Sequence, residues 1–231
     1  MPKIDVVIPV LNEEESLPKL LAAIPDFVRY VVVCDNGSTD SSADLALKAG
    51  AIVVQEPERG YGAACLKGMA WLASQDQQPD VLVYLDGDFS DDPASMAQLT
   101  DPIISDQADF VLADRTLEAQ PGALSVPQRF GSWLAGGLVH MIWGVKFRDL
   151  GPFRAIRWTA LESLAMQDRN YGWTVEMQIK AAQKGLRCKE ISLPYYRRLA
   201  GQSKVSGNMI GSFKAGTKIL YLIAKSLMTA T

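Results

Sequence analysis

Short apolar runs rich in β-forming residues alternate with helix-spaced segments along this chain, and that alternation limits the possible folds more than any other feature. The pattern predicts strands near residues 4–10, 29–34, 51–55, 81–86 and 109–113, with helices near 14–24, 40–49, 61–74 and 92–104 between them. A succession of this kind folds as an α/β protein with a mainly parallel, doubly wound sheet. The second half continues with helices near 129–143, 158–166 and 173–184, strands near 152–157 and 187–193, and a last helix near 209–228. With 231 residues, 48% of them hydrophobic, the chain fills one sizeable core and not two. Segment 115–128, with Pro121, Gly122 and Pro127, reads as a long active-site loop.

Ligands of such sheets bind outside the carboxyl ends of the strands. The polar residues expected there form a set: Asn12 and Glu13, Asp35, Glu56, Asp86 and Asp88, then Asp114 and Arg115. The fourth strand, Val-Leu-Val-Tyr-Leu-Asp-Gly-Asp over residues 81–88, is the most informative. It ends in two aspartates one residue apart, which repel unless a cation lies between them. A hard divalent ion that takes one or two carboxylates plus phosphate oxygens suits that position. An Asp-Gly pair is also a turn, and a strand-ending Asp is also a helix cap, so the motif alone does not decide. An EF-hand loop is excluded, because its glycine and glutamate places hold Asp91 and Ala97. Gly60-Tyr61-Gly62 lacks the third glycine of a dinucleotide fingerprint, where Cys65 stands. Gly62 still permits a close backbone approach to a phosphate or sugar.

Charge and special residues narrow the classes further. Cys34, Cys65 and Cys188 have neither zinc spacing nor disulfide pairing and read as reduced thiols of a cytoplasmic protein. One histidine, His140, argues against a Ser-His-Asp triad or a multi-histidine metal site. No secretory leader and no spanning helix are expected from the sequence. From Ile191 onward the chain has six cations and no acid, on a body that carries −9. That asymmetry suggests an anionic partner such as a phosphate or a lipid surface. Nucleic acid is not expected, because no reading motif or interleaved aromatics accompany the cations.

The motifs, taken in order, resemble family 2 glycosyltransferases of the GT-A fold, and among them the dolichyl- and polyprenyl-phosphate mannosyl- or glucosyltransferases. The fragments are Ile8-Pro9-Val10-Leu11-Asn12-Glu13-Glu14, Asp35-Asn36-Gly37-Ser38-Thr39-Asp40, Gly60-Tyr61-Gly62-Ala63, Asp86-Gly87-Asp88, Asp149-Leu150-Gly151-Pro152-Phe153-Arg154, and Arg198-Leu199-Ala200-Gly201-Gln202-Ser203-Lys204. The resemblance implies a nucleoside pocket at Pro9, Asn12 and Glu13, with Asp35 on the base or ribose. It implies Mg²⁺ or Mn²⁺ held by Asp86 and Asp88 on a nucleotide-diphospho-sugar donor, GDP-mannose or UDP-glucose. It further implies basic grips on phosphates at Arg115, Arg129, Arg198 and Lys204, and adds Gly62 and Asp149 to the substrate-binding set. Relatives carry a Gln metal ligand where this chain has Ser90, and Ser-Gly where it has Gly151-Pro152.

The implied reaction is inverting transfer of a hexose to polyprenyl or dolichyl phosphate, with Asp88 and Arg115 as catalytic groups. An anionic phosphate acceptor needs no general base, whereas a hydroxyl acceptor does. Glu176 occupies the place where hydroxyl-glycosylating relatives carry that base, and it equally reads as a first-turn glutamate favoured by the helix dipole. The implied division is a GT-A domain over 1–208, split into a nucleotide-sugar half 1–114 and an acceptor half 115–208, followed by an amphipathic helix over 209–231. Lys214, Lys218 and Lys225 form a stripe on that helix opposite a broad apolar face. The face fits an anionic membrane surface at the inner leaflet, the body of the protein, or a second copy in a homodimer. A same-fold rival acts on a hydroxyl acceptor, and a rival of another class is a non-catalytic sugar-nucleotide-binding subunit. A nucleotidyltransferase would need a Gly- and Arg-rich loop where Leu11-Asn12-Glu13-Glu14-Glu15 stands.

Overall fold

The computed structural model defines residues 1–200, 217–218 and 221–226. Seven strands form one sheet in the order β3-β2-β1-β4-β6-β5-β7. They are β1 (Ile4–Val10), β2 (Val28–Asp35), β3 (Ile52–Gln55), β4 (Val81–Tyr84), β5 (Phe110–Asp114), β6 (Arg154–Arg157) and β7 (Cys188–Ser192). The helices are α1 (Leu17–Ala22), α2 (Ser42–Lys48), α3 (Tyr61–Ala73), α4 (Met96–Ile104), α5 (Val126–Trp143), α6 (Trp158–Leu164) and α7 (Trp173–Gln183).

Strand alternation divides the core in two. Val7, Val32, Cys34, Leu82, Tyr84 and Phe110 point into one layer, and Ile8, Val10, Val33, Val81, Val83 and Val111 into the other. With both faces covered by helices, the strands carry the near-continuous apolar runs expected of a buried sheet.

The antiparallel insertion of β6 builds the functional edge. Its first residue, Arg154, pairs with Tyr84 at the end of β4 and with Leu112 near the end of β5. The chain entering β6, residues 149–153, therefore arrives at the edge where β1, β4 and β5 finish. Strand β7 runs parallel to β5 and ends at Ser192 beside Asp114, which delivers residues 193–200 to the same edge. One sheet thus takes strands from 1–114 and from the described residues after 114.

Among the boundaries that differ from expectation, two bear on the site. Strand β4 stops at Tyr84, so Asp86 and Asp88 stand on the turn beyond the strand. Helix α5 begins at Val126, because Ser125 and Gln128 form a reciprocal capping box and Pro127 is accommodated in the first turn.

The described residues of the last helix, 217–218 and 221–226, pack on the body of the protein. Lys218 Nζ lies 2.8 Å from the buried Asp168 carboxylate, Ile223 is buried, and Gln183 donates to the Ser226 carbonyl at 3.2 Å. A Cβ on Gly172 would collide with Leu222. Of the partners the sequence left open for this helix, its described residues meet the body of the protein, and Lys218 is engaged by Asp168. Lys204 and Lys214 lie outside the described residues.

Gly136 and Gly137 are neighbours on α5 with opposite surroundings. A Cβ on Gly136 would enter the Phe147 carbonyl, whereas Gly137 has open space around it. Gly136→Ala is expected to destabilise the protein by about 1–3 kcal/mol through overpacking. Gly137→Ala should be neutral or stabilising by up to about 1 kcal/mol through helix propensity. Denaturant unfolding of the two variants checks the contrast, and equal effects would contradict it.

Candidate active site

The loops after β1, β2 and β3 are stapled together by side chains. Asn12, held in the left-handed region at φ 54°, donates its backbone N–H to Ser38 Oγ (2.9 Å) and accepts from Thr39 N (2.8 Å) through Oδ1. Glu13 N donates to Ser42 Oγ (2.8 Å), and the buried Asp35 accepts from Ser38 N (3.0 Å). Asn36 continues the chain of contacts, accepting from Gly60 N (2.7 Å) and donating to the Glu56 and Glu58 carbonyls. Pro9 lies within β1, paired with Cys34. Asn12, Glu13, Glu14, Ser16, Asp40 and Ala200 line a small recess at this edge.

The turn after β4 presents the carboxylates. Phe89 adopts φ 60°, a conformation costly for a non-glycine residue and tolerated where the surroundings enforce it. Asp88 Oδ1 accepts from Ser90 N (2.9 Å), and Ser16 Oγ donates to the Gly87 carbonyl (2.8 Å). Asp88 Oδ2 faces Arg198 Nη1 at 3.4 Å, and Arg198 Nη2 is bonded to Glu13 Oε1. Arg198 thus joins the first strand's loop to the Asp86-Gly87-Asp88 turn.

Three buried oxygens in this turn have no hydrogen-bond partner: Asp86 Oδ1, Ser90 Oγ and Asp91 Oδ2. Burial, followed by the Asp88 charge, pushes the Asp86 carboxyl up to about 7. Burial also raises Asp91 well above the carboxylate range, with Arg115 opposing and the Asp86, Asp88 and Asp149 charges adding. Sealed, unpartnered oxygens cost stability unless something satisfies them. Their chemistry is that of a hard divalent cation, which needs only one or two carboxylates when substrate phosphates complete its shell. Asp86 and Asp88 therefore fit such an ion. Asp91 and Tyr61 were not expected from the sequence. The Tyr61 hydroxyl is buried beside the Asp86 carboxyl, and its proton is held more tightly by burial and then by the Asp86 charge.

Arg115 is committed within the protein. Its Nε and Nη2 donate to Asp149 at 2.6 and 2.9 Å, its backbone N–H donates to the same carboxylate, and its guanidinium lies 4.9 Å from the Tyr195 ring centre. Ser132 from α5 donates to Asp149 Oδ1 (2.9 Å), and Gln178 from α7 donates to the Asp149 carbonyl (2.9 Å). A side chain on Gly151 would strike Arg115 Nε and Asp149 Oδ2, so the pair requires glycine there.

Other expected site residues take different tasks. The Glu176 carboxylate accepts from Gln167 N and Asp168 N (2.7–3.2 Å) and pairs with Lys180 at 2.8 Å, which commits both oxygens. A Cβ on Gly62 would enter the Asp168 carbonyl, and Ala63 N donates to Arg169 O at 2.9 Å. The close approach at Gly62 is therefore to the protein's own backbone, which Glu176 helps to hold. Arg129 stands on the exposed side of α5, its Nη1 3.3 Å from the Thr116 carbonyl. Glu56 lines a wider hollow between α3 and residues 166–169, where it caps Glu58 N (2.8 Å) and lies 3.8 Å from Arg169.

Residues 5–163 match the family model described as "Glycosyl transferase family 2". An uncharacterized glycosyltransferase of Mycobacterium tuberculosis is 39% identical over 219 residues, covering 92% of this chain and 94% of its own length. The undecaprenyl-phosphate mannosyltransferase of Micrococcus luteus is 29% identical, with 89% and 88% covered. Among solved structures, glucosyl-3-phosphoglycerate synthase of Mycobacterium tuberculosis, crystallised with Mn²⁺, UDP and glucosyl-3-phosphoglycerate, superposes with a TM-score of 0.76. It is 21% identical, and the alignment covers 96% of this chain and 80% of that one.

The buried ion pair makes a prediction of its own. Burial would raise Asp149, but the Arg115 charge and hydrogen bonds from Arg115 and Ser132 prevail and hold it at about 2. Its folded value lies below the unfolded one near ~3.9, so its contribution is present above that pH and is lost as pH falls toward 2. Asp149→Asn leaves a buried guanidinium uncompensated and is expected to cost about 3–5 kcal/mol. That variant should also lose the share of acid sensitivity that Asp149 contributes in this window, while Asp109, likewise held at about 2, keeps its own. A pH series of chemical denaturation measures both effects, and parallel curves for variant and parent would contradict the assignment.

Proposed function

Because this chain belongs to glycosyltransferase family 2, we propose that it transfers a hexose, with inversion, from a nucleoside-diphosphate sugar to polyprenyl phosphate. The observation that carries the donor side is the Asp86–Asp88 turn, with its sealed oxygen and a raised carboxyl where the sheet's strands end. The name of the Micrococcus relative supports the acceptor. The Mn²⁺ and UDP bound by the solved neighbour support a metal and a nucleoside diphosphate, either GDP or UDP, in this crevice.

A divalent cation held by Asp86 and Asp88 supplies charge neutralisation for the departing diphosphate, worth more in the transition state than in the ground state. The chain's own residues do the rest. The stapled loops at Asn12, Glu13 and Asp35 give the nucleoside a rigid wall. Arg198, held by Glu13 and Asp88 in the ligand-free chain, turns its guanidinium to the phosphates, for which its fork geometry is suited. Arg115 acts as a positioning residue. Fixed by Asp149 and stacked on Tyr195, it keeps a positive charge beside the aspartates without contacting the donor itself.

A lipid phosphate is already ionised and needs no base. That agrees with Glu176, whose oxygens are engaged by two backbone amides and Lys180. Glu176→Gln is expected to lower turnover by less than about tenfold, against the hundredfold or more that removing a general base costs. A larger loss with the fold intact would favour a hydroxyl acceptor. The reaction is tested by offering purified protein GDP-mannose and UDP-glucose with Mn²⁺ and measuring nucleoside diphosphate release. Release should rise when polyprenyl phosphate is added; release indifferent to it would overturn the acceptor.

The raised Asp86 carboxyl gives a pH signature. As pH rises through about 7 the ionised form becomes available to a cation, so thermal stabilisation by Mn²⁺ should grow from pH 6 to pH 8. In Asp86→Asn that growth should vanish. Its persistence in the variant would remove Asp86 from the cation site.

A further inference from the structure

Helix α5 is apolar on its outer side as well as on the side that packs. Val126, Phe130, Trp133 and Met141 are 79%, 58%, 68% and 73% exposed. At 100° per residue, these four and Gly137 fall within an arc of about 80°. The Phe130 and Trp133 ring centres lie 5.8 Å apart in a tilted arrangement, and the exposed Leu117 follows Thr116, whose carbonyl receives Arg129. Single exposed apolar residues need no explanation, but a contiguous aromatic face does. The surrounding charge is mainly positive, with the exposed Glu118 beside Leu117 as the nearest acid in sequence and Arg148 shared with Asp114 at 3.7 Å. From Ala119 to Arg148 there is no aspartate or glutamate, while Arg129, Lys146 and Arg148 are cationic and exposed, on a chain whose net charge is −3.

We infer that this face of α5 docks on the surface of an anionic lipid bilayer. Tryptophan and phenylalanine settle at the headgroup boundary, and the flanking Arg129 and Lys146 meet lipid phosphates. A second copy of the chain fits less well. A two-fold contact across α5 would oppose the same cations, and four side chains fall far short of the ~800 Å² per partner that a stable interface buries.

The inner face of the same helix explains what docking achieves. Ser132, next to Trp133, donates to Asp149, which holds Arg115 beside the carboxylate turn. A docked α5 therefore sets the crevice against the lipid surface, where the phosphate of a polyprenyl lipid lies. The inference rests on the lipid-phosphate reading for this purpose, and on the exposed face for its geometry.

Co-flotation of the full chain with phosphatidylcholine vesicles containing about 30% phosphatidylglycerol tests it. Binding is expected, weakening as salt is raised. Combined Phe130→Ser, Trp133→Ser and Met141→Ser should lower vesicle partition by about tenfold or more while nucleoside diphosphate binding and Tm stay unchanged. Brominated lipids should quench tryptophan emission of the parent more than that of Trp133→Phe, a readout that does not depend on the triple variant folding. Three results would each overturn the inference: no vesicle binding by the parent, equal binding by the triple variant, or conversion of a dimer to a monomer in that variant. Intact vesicle binding without hexose transfer to polyprenyl phosphate would instead refute the acceptor reading and leave the docking face standing.

Discussion

The buried pair of Arg115 and Asp149 ties together parts of the chain that the sheet alone does not join. Arg115 follows β5, and Asp149 lies on the approach to β6, with nitrogen–oxygen distances of 2.6 and 2.9 Å. Through Asp149 the pair takes in α5 by Ser132 and α7 by Gln178, and through Tyr195 it takes in the segment after β7. Charges so enclosed are stable only while both partners and their hydrogen bonds remain. The requirement for glycine at position 151 follows, since any side chain there would enter the pair. The Gly151-Pro152 sequence is thus part of the pair's packing.

On this frame the carboxylate turn is kept under electrostatic tension. Asp86, Asp88 and Asp91 are crowded at the end of β4, and Arg198 and Arg115 offset only part of their repulsion. Burial first, and then that repulsion, raises the Asp86 carboxyl, and the buried oxygens beside it lack a donor. A donor diphosphate with its cation relieves that repulsion and gives Arg198 a new anion in place of Glu13. Binding and charge compensation are then one event, which is the arrangement that lets a polar site discriminate a transition state from its ground state.

Short runs of β-forming apolar residues, bounded by polar and turn residues, made all seven strands legible even though burial on both faces removes a period of two. The Ser125–Gln128 capping box is present in the sequence, but Pro127 reads as part of the loop and places the helix start three residues late. What could not be read were the long-range partners. Nothing local distinguishes a Gly62 that approaches a phosphate from one that approaches the Asp168 carbonyl, a hundred residues away in sequence. Glu176 reads alike as a base or as a clamp on Gln167 and Asp168 until the fold brings those amides to it. Asp91 had a faint signal, as one more acid in an already acidic turn, and its burial is what gives it meaning.

The account turns on whether a cation at Asp86 and Asp88 touches the phosphates of a nucleoside diphosphate. Phosphorus-31 relaxation of GDP and UDP bound to the protein, titrated with Mn²⁺, reads that contact directly. Strong paramagnetic broadening of both phosphorus signals is expected in the parent, with its loss in Asp88→Ala at nucleotide saturation. Equal broadening in parent and variant would place the metal elsewhere and contradict the account.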